Sequence, residues 1–363
     1  MSNAYARVKL RHRLGPPCTR GEPIAWLRDC GIDRCVGERR RLRRTPGTTR
    51  AGCTGPAAIG HAACQSAAIL VLLAASGCGR RAELLGTIVS PSDGPASEPD
   101  GSPRPQFSQP ELVVAVSDPL AYDADPSFTG DLLEMFFMSD RAGTKDIWTS
   151  RRANVSDPWG PPTIVPTLSS PASDEGPSVS LDGKRIWFAT DRDGSRHIWQ
   201  STRAIRSDPW AAPVSVPELA SAADDLGPAV DATETTMFFG SNRALAASYD
   251  VFSSTRATTI EPWGAPSPVP GVNSPFDDKA PFVAQGGLIV FFTSSRTGAG
   301  DLYWSTRQST AEPFPSPLPM VELNSPAYDS DPSLSQDLTY ILFDSQRSGI
   351  SDIYEAHAIA PAP

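Results

Sequence analysis

The C-terminal two thirds of the chain is a succession of short apolar runs separated by polar turns. One run in each unit is apolar at successive positions, as in residues 185–189 (R-I-W-F-A). A strand that is apolar on both faces of its pleat has to be covered on both sides. These runs therefore predict antiparallel sheets that stack on one another. The corresponding runs are residues 135–138, 237–239, 289–292 and 340–343.

The apolar runs belong to a repeat. A proline recurs at spacings of 51, 51, 53 and 51 residues, at Pro126, Pro177, Pro228, Pro281 and Pro332. Three residues before each proline stands an acid: Asp123, Asp174, Asp225, Asp278 and Asp329. Fifteen residues after each proline stands an arginine: Arg141, Arg192, Arg243, Arg296 and Arg347. A period of this length is typical of propellers and solenoids.

Each unit divides into four short strands. The first strand begins near the acid and leads, in the second unit, to Asp182-Gly183, a dipeptide typical of hairpin turns. The doubly apolar strand follows, then a polar turn that holds the arginine, and then a third strand. An acid-Pro-aromatic motif precedes a short fourth strand, such as residues 163–165. We expect the aromatic residues of this motif to pack the outer strands, with stacking on sugars as the alternative. They are Trp159, Trp210, Trp263 and Phe314.

The fifth unit lacks its fourth strand, and the missing strand is found before the first unit, at residues 111–116 (E-L-V-V-A-V). If that strand completes the last unit, the ring closes and its exposed sheet edges disappear. A solenoid needs no displaced strand, and the sequence contains no evident capping unit. Residues 106–363 therefore predict an all-β fold, a five-bladed β-propeller of four-stranded blades whose last blade is closed by an N-terminal strand.

The repeat motif D-x-x-P-S-hydrophobic-S, the D-G turn and F-x-S-D-R-x-G-x-x-D-I-W resemble the WD40-like (PD40, TolB-type) propeller repeats of bacterial envelope proteins. The resemblance covers about residues 120–359. It implies a β-propeller fold and a location in the cell envelope. It implies no particular ligand or reaction, because the motif is specific for the repeat alone.

Charge and cysteine content set the N-terminal part of the chain apart. Residues 1–60 carry 13 Lys+Arg and 4 acids, whereas the remainder carries 19 Lys+Arg and 37 acids. A domain that acidic repels phosphate backbones, so nucleic acid is excluded as a partner of the propeller. All 6 cysteines lie in the first 78 residues, without the C-x-x-C spacing of a zinc site. We expect residues 1–60 to be unstructured or to precede the true translation start, with a basic nucleic-acid-binding tail as the alternative.

Residues 61–78 are typical of a bacterial lipoprotein signal peptide. Residues 67–75 (A-A-I-L-V-L-L-A-A) have the length of a signal-peptide apolar region and are too short to span a bilayer. Residues 75–78 (A-S-G-C) resemble a lipobox, which implies that Cys78 is lipidated and becomes the first residue of the mature chain. Gly79 favours the outer membrane, on its periplasmic side, over the inner membrane. The Pro/Ser/Gly-rich residues 79–105 predict a disordered tether.

The repeated acids and arginines are the candidate ligand-binding residues, because the predicted topology places both sets on one face of the propeller, around the channel mouth. One interpretation is a structural ion pair repeated in every blade. The other is a ligand or cation site at the mouth, lined by some of the five acids. We expect no cofactor, with Ca²⁺ as the alternative because such a ring of oxygen ligands would suit it. No specific metal ligand is predicted.

The sequence predicts no catalytic residue. Nucleophile-elbow, zinc-protease and P-loop motifs are absent, and the propeller contains no cysteine. We expect a non-catalytic binding or scaffolding module of the cell envelope, with an envelope protein or a glycan as ligand and with membrane contact through the lipid anchor only. The alternative is a carbohydrate-active enzyme, a glycoside hydrolase or lyase, that uses channel-mouth carboxylates. An enzyme would show acids in one blade that the other blades lack.

Overall fold

The computed structural model describes residues 105–245 and 248–359, and every regular element in this part of the chain is a β-strand. The strands form five separate four-stranded antiparallel sheets. The first strands of neighbouring sheets contact one another in a closed ring, from the first sheet round to the fifth and back to the first. The predicted five-bladed β-propeller is confirmed.

Blade 1 contains β2 (Asp123–Phe128), β3 (Glu134–Ser139), β4 (Asp146–Arg151) and β5 (Thr163–Ile164). Blade 2 contains β6 (Asp174–Val179), β7 (Arg185–Thr190), β8 (His197–Thr202) and β9 (Val214–Ser215). Blade 3 contains β10 (Asp225–Val230), β11 (Thr236–Leu245), β12 (Ser248–Thr255) and β13 (Ser267–Pro268). Blade 4 contains β14 (Asp278–Ala284), β15 (Ile289–Ser294), β16 (Asp301–Thr306) and β17 (Leu318–Pro319). Blade 5 contains β18 (Asp329–Leu334), β19 (Tyr340–Ser345), β20 (Asp352–His357) and β1 (Glu111–Leu112).

The second strand of each blade carries the doubly apolar run. All six residues are buried in β3, β15 and β19. Their side chains fill the spaces between adjacent blades, as where Trp187 and Ile198 of blade 2 share one apolar cluster with Met237 and Phe239 of blade 3. Burial on both faces removes apolar surface from water on both sides of each sheet, which explains why these strands lack polar alternation.

The N-terminal strand closes the ring as predicted, but it is shorter than the sequence suggests. Glu111 pairs with Glu355 and Leu112 pairs with Tyr354, so β1 contains two residues instead of the expected run 111–116. The backbone N–H of Val113 still donates to the carbonyl of Ile353 on β20, and the chain leaves the ladder after it. The side chains of Val113 and Val116 are buried in the core between blades 5 and 1, so both valines also serve as packing residues.

The aromatic residues of the acid-Pro-aromatic motif are buried, with exposures of 3–5% for Trp159, Trp210, Trp263 and Phe314. An arginine guanidinium lies over each ring, 4.2–4.3 Å from its centroid. A cation above an aromatic face is attracted by the ring quadrupole. The predicted packing role is confirmed, since these ring faces are covered.

The predicted signal peptide at residues 61–78, the basic segment 1–60 and all but the last residue of the tether 79–105 lie outside the described residues. Among the residues that the structure does describe, no helix has the length and apolar character needed to cross a membrane.

Candidate functional site

The repeated acids and arginines form one clasp in each blade. In blade 1 the fully buried Asp123 accepts a hydrogen bond from Arg141 Nη2 at 2.6 Å. Its second carboxylate oxygen accepts the backbone N–H of Asp118 at 2.7 Å. The arginine also donates to the carbonyl of Val116 and, through Nε, to the hydroxyl of Ser139. Each clasp thus ties the loop that enters a blade to the turn between its second and third strands.

The same clasp recurs around the ring, with Arg–Asp distances of 2.5–2.7 Å. The other pairs are Asp174 with Arg192, Asp225 with Arg243, Asp278 with Arg296 and Asp329 with Arg347. The five acids are all 0% exposed, and both oxygens of each accept hydrogen bonds from within the protein. A structural role accounts for all ten residues, and their role in ligand binding stays a prediction.

A second ring of residues lies further along the inner strands, at the position before each repeat proline. This residue has a positive φ of 49–61° in all five blades. The ladder between the first and second strands is interrupted there in every blade. Proline has no N–H to donate to a ladder, which explains the interruption. The five residues are Asp125, Gly176, Gly227, Ala280 and Asp331.

This second ring breaks the fivefold repeat, because only blades 1 and 5 place an acid in it. A Cβ at Gly176 would lie 3.1 Å from the Cα of Gly227, so glycine suits both the crowding and the positive φ there. Asp125 and Asp331 both have a φ of 54°, a conformation that short polar side chains tolerate. Since the ring closes between blades 5 and 1, the two acids are neighbours on the wall of an axial channel of about 70 Å³.

Asp344 adds a third carboxylate from β19. It pairs with Ser330, and the corresponding positions of the other four blades carry no acid. Those positions are Met138, Ala189, Gly240 and Thr293. One carboxylate oxygen from each of Asp125, Asp331 and Asp344 lies within 4.8 Å of the other two. We call these three residues the axial acid cluster.

The cluster lacks the ion pairs that neutralise the clasp acids. Asp344 is 0% exposed, and its Oδ2 accepts the hydroxyls of Ser330 and Ser351 at 2.9 and 2.8 Å. Its Oδ1, also buried, has no hydrogen-bond partner among the described residues. Within the same part of the chain, no Lys or Arg nitrogen lies within 4.0 Å of any of the three carboxylates.

Burial and mutual repulsion shift the cluster toward neutrality. Burial raises the pKa of Asp331 to about 7, and the charge of Asp344 adds to the rise. Burial likewise raises the pKa of Asp344 to about 6, with a further contribution from Asp125. The pKa of Asp125 is raised well above its ordinary value by burial and then by Asp331, although a hydrogen bond from the backbone N–H of Gly176 lowers it. Buried like charges of this kind share protons near pH 7.

Two tyrosines, Tyr122 and Tyr328, lie close enough to the cluster for its charges to act on them, and we call the cluster, both tyrosines and Lys279 the axial mouth. Tyr122 and Tyr328 are both partly exposed. Burial, followed by the charge of Asp344 for Tyr122 and of Asp331 for Tyr328, raises the pKa of both phenols, so both stay neutral donors. Lys279 Nζ lies 5.7 Å from the ring centroid of Tyr328. The other blades have Ser173, Asp224 and Asp277 at the positions of the two tyrosines.

The sequence reasoning singles out the clasp acids and misses the cluster. Units one and five read D-x-D-P where units two and three read D-x-G-P, so the signal is present in the sequence. This signal is lost when only the positions common to all repeats are compared, because Asp replaces Gly in just two of the units. The proximity of Asp344 to Asp125 follows only from ring closure, which makes blades 5 and 1 neighbours. The structure therefore supplies the asymmetry that the sequence-based interpretation does not find.

No protein-family model and no curated protein matches the sequence. Solved structures do resemble the fold. An α-L-arabinofuranosidase from Podospora anserina, determined in complex with cellotriose, gives a TM-score of 0.51 at 11% identity, over 71% of this chain and 98% of its own. An endo-arabinase from Bacteroides thetaiotaomicron gives a TM-score of 0.50 at 13% identity, over 70% of this chain and 98% of its own.

A putative TolB from Agrobacterium tumefaciens is also similar, with a TM-score of 0.40 at 15% identity, over 61% of this chain and 69% of its own. At 11–13% identity, the similarity to the arabinofuranosidase and the endo-arabinase shows a common fold and nothing about ligand or reaction. The functional assignment therefore depends on the site itself.

Proposed function

We propose that this chain is an exported, lipid-anchored β-propeller that acts as a non-catalytic binding module in the bacterial cell envelope, on the periplasmic side of the outer membrane. The apolar run and the lipobox-like residues 75–78 support export and lipidation at Cys78. The tether that follows would hold the propeller away from the membrane surface.

The anchor is tested by expressing the full chain and its Cys78→Ser variant in a bacterial host supplied with a clickable fatty-acid analogue. The wild-type chain is expected to incorporate the label and to sediment with outer-membrane vesicles. The Cys78→Ser variant is expected to lose the label. An unlabelled wild-type chain in the soluble fraction would refute lipid anchoring while leaving the binding role open.

One observation carries the binding role: the axial acid cluster and the two tyrosines occur in only one sector of an otherwise repeated ring. Blades 1 and 5 supply Asp125, Asp331 and Asp344, together with partly exposed Tyr122 and Tyr328. The clasps hold all five blades in the same way, so the structural need of the fold does not account for this asymmetry. Phenol rings with carboxylates beside them can stack on sugar rings and accept hydrogen bonds from their hydroxyls. A glycan is therefore the favoured ligand.

The test is equilibrium binding of the full chain to peptidoglycan fragments and envelope oligosaccharides, measured by calorimetry. The double variant Tyr122→Ala/Tyr328→Ala is expected to weaken glycan binding by at least about tenfold, because it removes the stacking surface. Phe276→Ala is the matched control, since Phe276 is an exposed aromatic residue in the loop before β14. Equal binding by both variants would contradict recognition at the axial mouth, and capture of an envelope protein without any glycan would point to a protein ligand.

The spacing of the acids favours binding over hydrolysis. Glycosidases place their two carboxyl groups about 5–5.5 Å apart when they retain configuration and about 6.5–9.5 Å apart when they invert it. In the cluster, one oxygen of each carboxylate lies within 4.8 Å of the others, so the three groups converge on one point instead of flanking a sugar from two sides.

Glycoside hydrolysis is the second candidate function, because a general acid works best with a pKa near the working pH, as for Asp331 with its pKa of about 7. The assay is release of reducing sugar from arabinan and arabinoxylan by the full chain, beside the Asp331→Asn variant. Hydrolysis that the variant lacks would establish catalysis and overturn the non-catalytic assignment. Identical background release of sugar by both chains would support the non-catalytic assignment.

A further inference from the structure

We infer that the axial acid cluster binds one calcium ion. This inference deepens the proposed binding function and rests on it, since the ion would form the floor of the axial mouth. Asp125, Asp331 and Asp344 supply the carboxylate ligands, and channel water supplies the remaining oxygens. Three properties of these residues point to the ion: their charge, one unsatisfied oxygen and their ligand geometry.

The charge of the cluster calls for a cation. Three carboxylates converge without a Lys or Arg ion pair among the described residues, although every clasp acid around them has its own arginine. Taking carboxylates out of water without a partner is strongly unfavourable. A divalent cation at the centre would offset two of the three negative charges.

Asp344 provides evidence for a ligand that is independent of the charge of the cluster. Its Oδ2 is satisfied by Ser330 and Ser351, so its Oδ1 is the oxygen that remains for the cluster. That atom is buried in a residue with 0% exposure and has no hydrogen-bond partner in the described part of the chain. Buried polar atoms in native structures nearly always have a partner, and an ion is one of the partners that explains an exception.

The geometry of the cluster suits calcium better than magnesium. All the side-chain donors are oxygens, the ligands that hard cations prefer. Calcium accepts several carboxylates in a flexible shell with bonds of about 2.3–2.6 Å, so it can join oxygens up to about 5 Å apart, whereas magnesium needs near-ideal octahedral geometry and is usually held by only one or two carboxylates. The cluster oxygens lie within 4.8 Å of one another. The adjoining channel of about 70 Å³ has room for the few waters that complete a calcium shell.

The ligands come from both ends of the ring. Asp125 lies on β2 of blade 1, whereas Asp331 and Asp344 lie on β18 and β19 of blade 5. An ion bound to all three joins the first blade to the last, across the interface where the ring closes. Calcium therefore stabilises the closed ring in addition to forming the mouth, and thermal unfolding reports its binding.

The experiment uses the full chain after treatment with EDTA, titrated with CaCl₂ and in parallel with MgCl₂. Calorimetry is expected to show one calcium ion per chain, with magnesium at least about tenfold weaker. The Tm is expected to rise with calcium concentration. Absence of both heat and Tm shift with calcium would overturn the inference, as would magnesium binding as tightly as calcium.

Variants locate the ion. Asp331→Asn and Asp344→Asn are expected to weaken calcium binding at least about 100-fold, while their Tm in EDTA equals or exceeds that of the wild type because a repulsion is removed. The preserved Tm shows that the variants fold. Asp337→Asn, in the exposed hairpin of the same blade, is the control and keeps calcium binding unchanged. Unchanged calcium binding by Asp331→Asn would refute the site.

The glycan titration, repeated in EDTA and in calcium, separates this inference from the proposed function. Glycan binding that is indifferent to calcium, with no calcium bound, would refute the ion and leave the binding function standing. Calcium binding without any glycan or protein ligand would refute the binding function and leave the ion site standing.

Discussion

Two groups of buried acids lie at opposite ends of the propeller and have opposite surroundings. Glu134, at the start of β3, is 1% exposed and contacts the guanidinium groups of Arg151 and Arg203 at 2.6 Å and of Arg206 at 3.3 Å. Burial raises the pKa of Glu134, but hydrogen bonds from Arg203 and Arg151 outweigh it, so the pKa is lowered. In the axial acid cluster, Asp344 is fully buried, Asp125 and Asp331 are partly buried, and no described Lys or Arg forms an ion pair with them, so the pKa values rise.

This difference shows how the role of a buried acid in a repeat protein follows from the presence or absence of an ion pair. Glu134 carries its countercharges within the fold, because Arg203 reaches across from blade 2 and joins the two blades. Such an acid is structural, as are the five clasp acids. An acid cluster without an ion pair retains an unfavourable interaction that the fold does not require, and the ligand proposed above would offset it. The predictions below test this distinction, in order of decreasing effect.

Removing the charge of Glu134 is expected to have the largest effect. Glu134→Gln leaves the buried Arg203 without its carboxylate, and breaking such a pair from one side costs about 3 kcal/mol in the free energy of unfolding. Urea unfolding followed by tryptophan fluorescence measures the change. Arg151→Gln is the control, since Arg151 is 58% exposed and its loss should cost less than about 1 kcal/mol. A loss below about 1 kcal/mol for Glu134→Gln would place this acid in the same class as the cluster.

A single clasp is expected to contribute somewhat less. Asp174→Asn keeps the size of the side chain and leaves Arg192 without a countercharge, which should lower the free energy of unfolding by about 2 kcal/mol. Asp182→Asn, in the exposed hairpin of the same blade, should change it by less than about 0.5 kcal/mol. The same urea titration serves both variants. A neutral Asp174→Asn would show that the clasps are dispensable for stability, and would reopen them as ligand sites.

Unlike the ion-paired acids, the axial acid cluster should lower the free energy of unfolding as pH rises. The folded chain holds protons on Asp331 and Asp344 up to a pKa of about 7 and about 6, whereas the unfolded chain releases them near 3.8. The free energy of unfolding in EDTA should therefore have a component that falls as pH rises from about 4 to about 7 and then levels off. The Asp331→Asn variant lacks most of this component, so it should exceed the wild type by about 1 kcal/mol at pH 7.5.

Urea unfolding of both chains from pH 4.5 to 8 in EDTA measures this pH-dependent difference. Comparison with the variant removes the contribution of acids with a lowered pKa, such as Glu134 and Asp337, which the two chains share. Parallel curves for the two chains would show that Asp331 titrates at its ordinary pKa and that burial does not perturb the cluster.

The smallest effect is expected from Lys279, whose charge lowers the pKa of Asp331. Lys279→Met should raise that pKa further and move the midpoint of the pH-dependent component upward by about 0.3 pH units. Lys184→Met is the control, because Lys184 pairs with Asp182 in an exposed hairpin. A downward shift with Lys279→Met would mean that this lysine does not act on the cluster through its charge.

The fold was predictable because every level of the sequence agrees with it. The spacing of prolines, acids and arginines determines the number of blades, and the displaced apolar run near Val113 predicts ring closure. The length of β1 was not predictable. Residues 113–116 continue the apolar pattern, but Val113 and Val116 are buried in the core beyond the two paired residues, and an apolar run cannot distinguish these two forms of burial.

The candidate site was predictable only in part. The clasp acids and arginines lie together on one face, as expected, because they recur in phase and approach across a turn. The cluster depends on a positive φ at Asp125 and Asp331, which turns both side chains to the channel, and on a neighbour relation between the first and last blades. Neither property is local in sequence. In the sequence, the cluster is indicated only by the Asp that stands before the repeat proline in units one and five, where units two and three have Gly.

The closing strand also determines when the propeller can fold. Glu111 pairs with Glu355, so the first strand of the ring stays without its ladder until the last blade has been synthesised. Contacts between such distant residues slow folding, because loop-closure entropy is lost before the contacts form. The complete ring therefore forms only after blade 5 has been synthesised, a property compatible with the export proposed above.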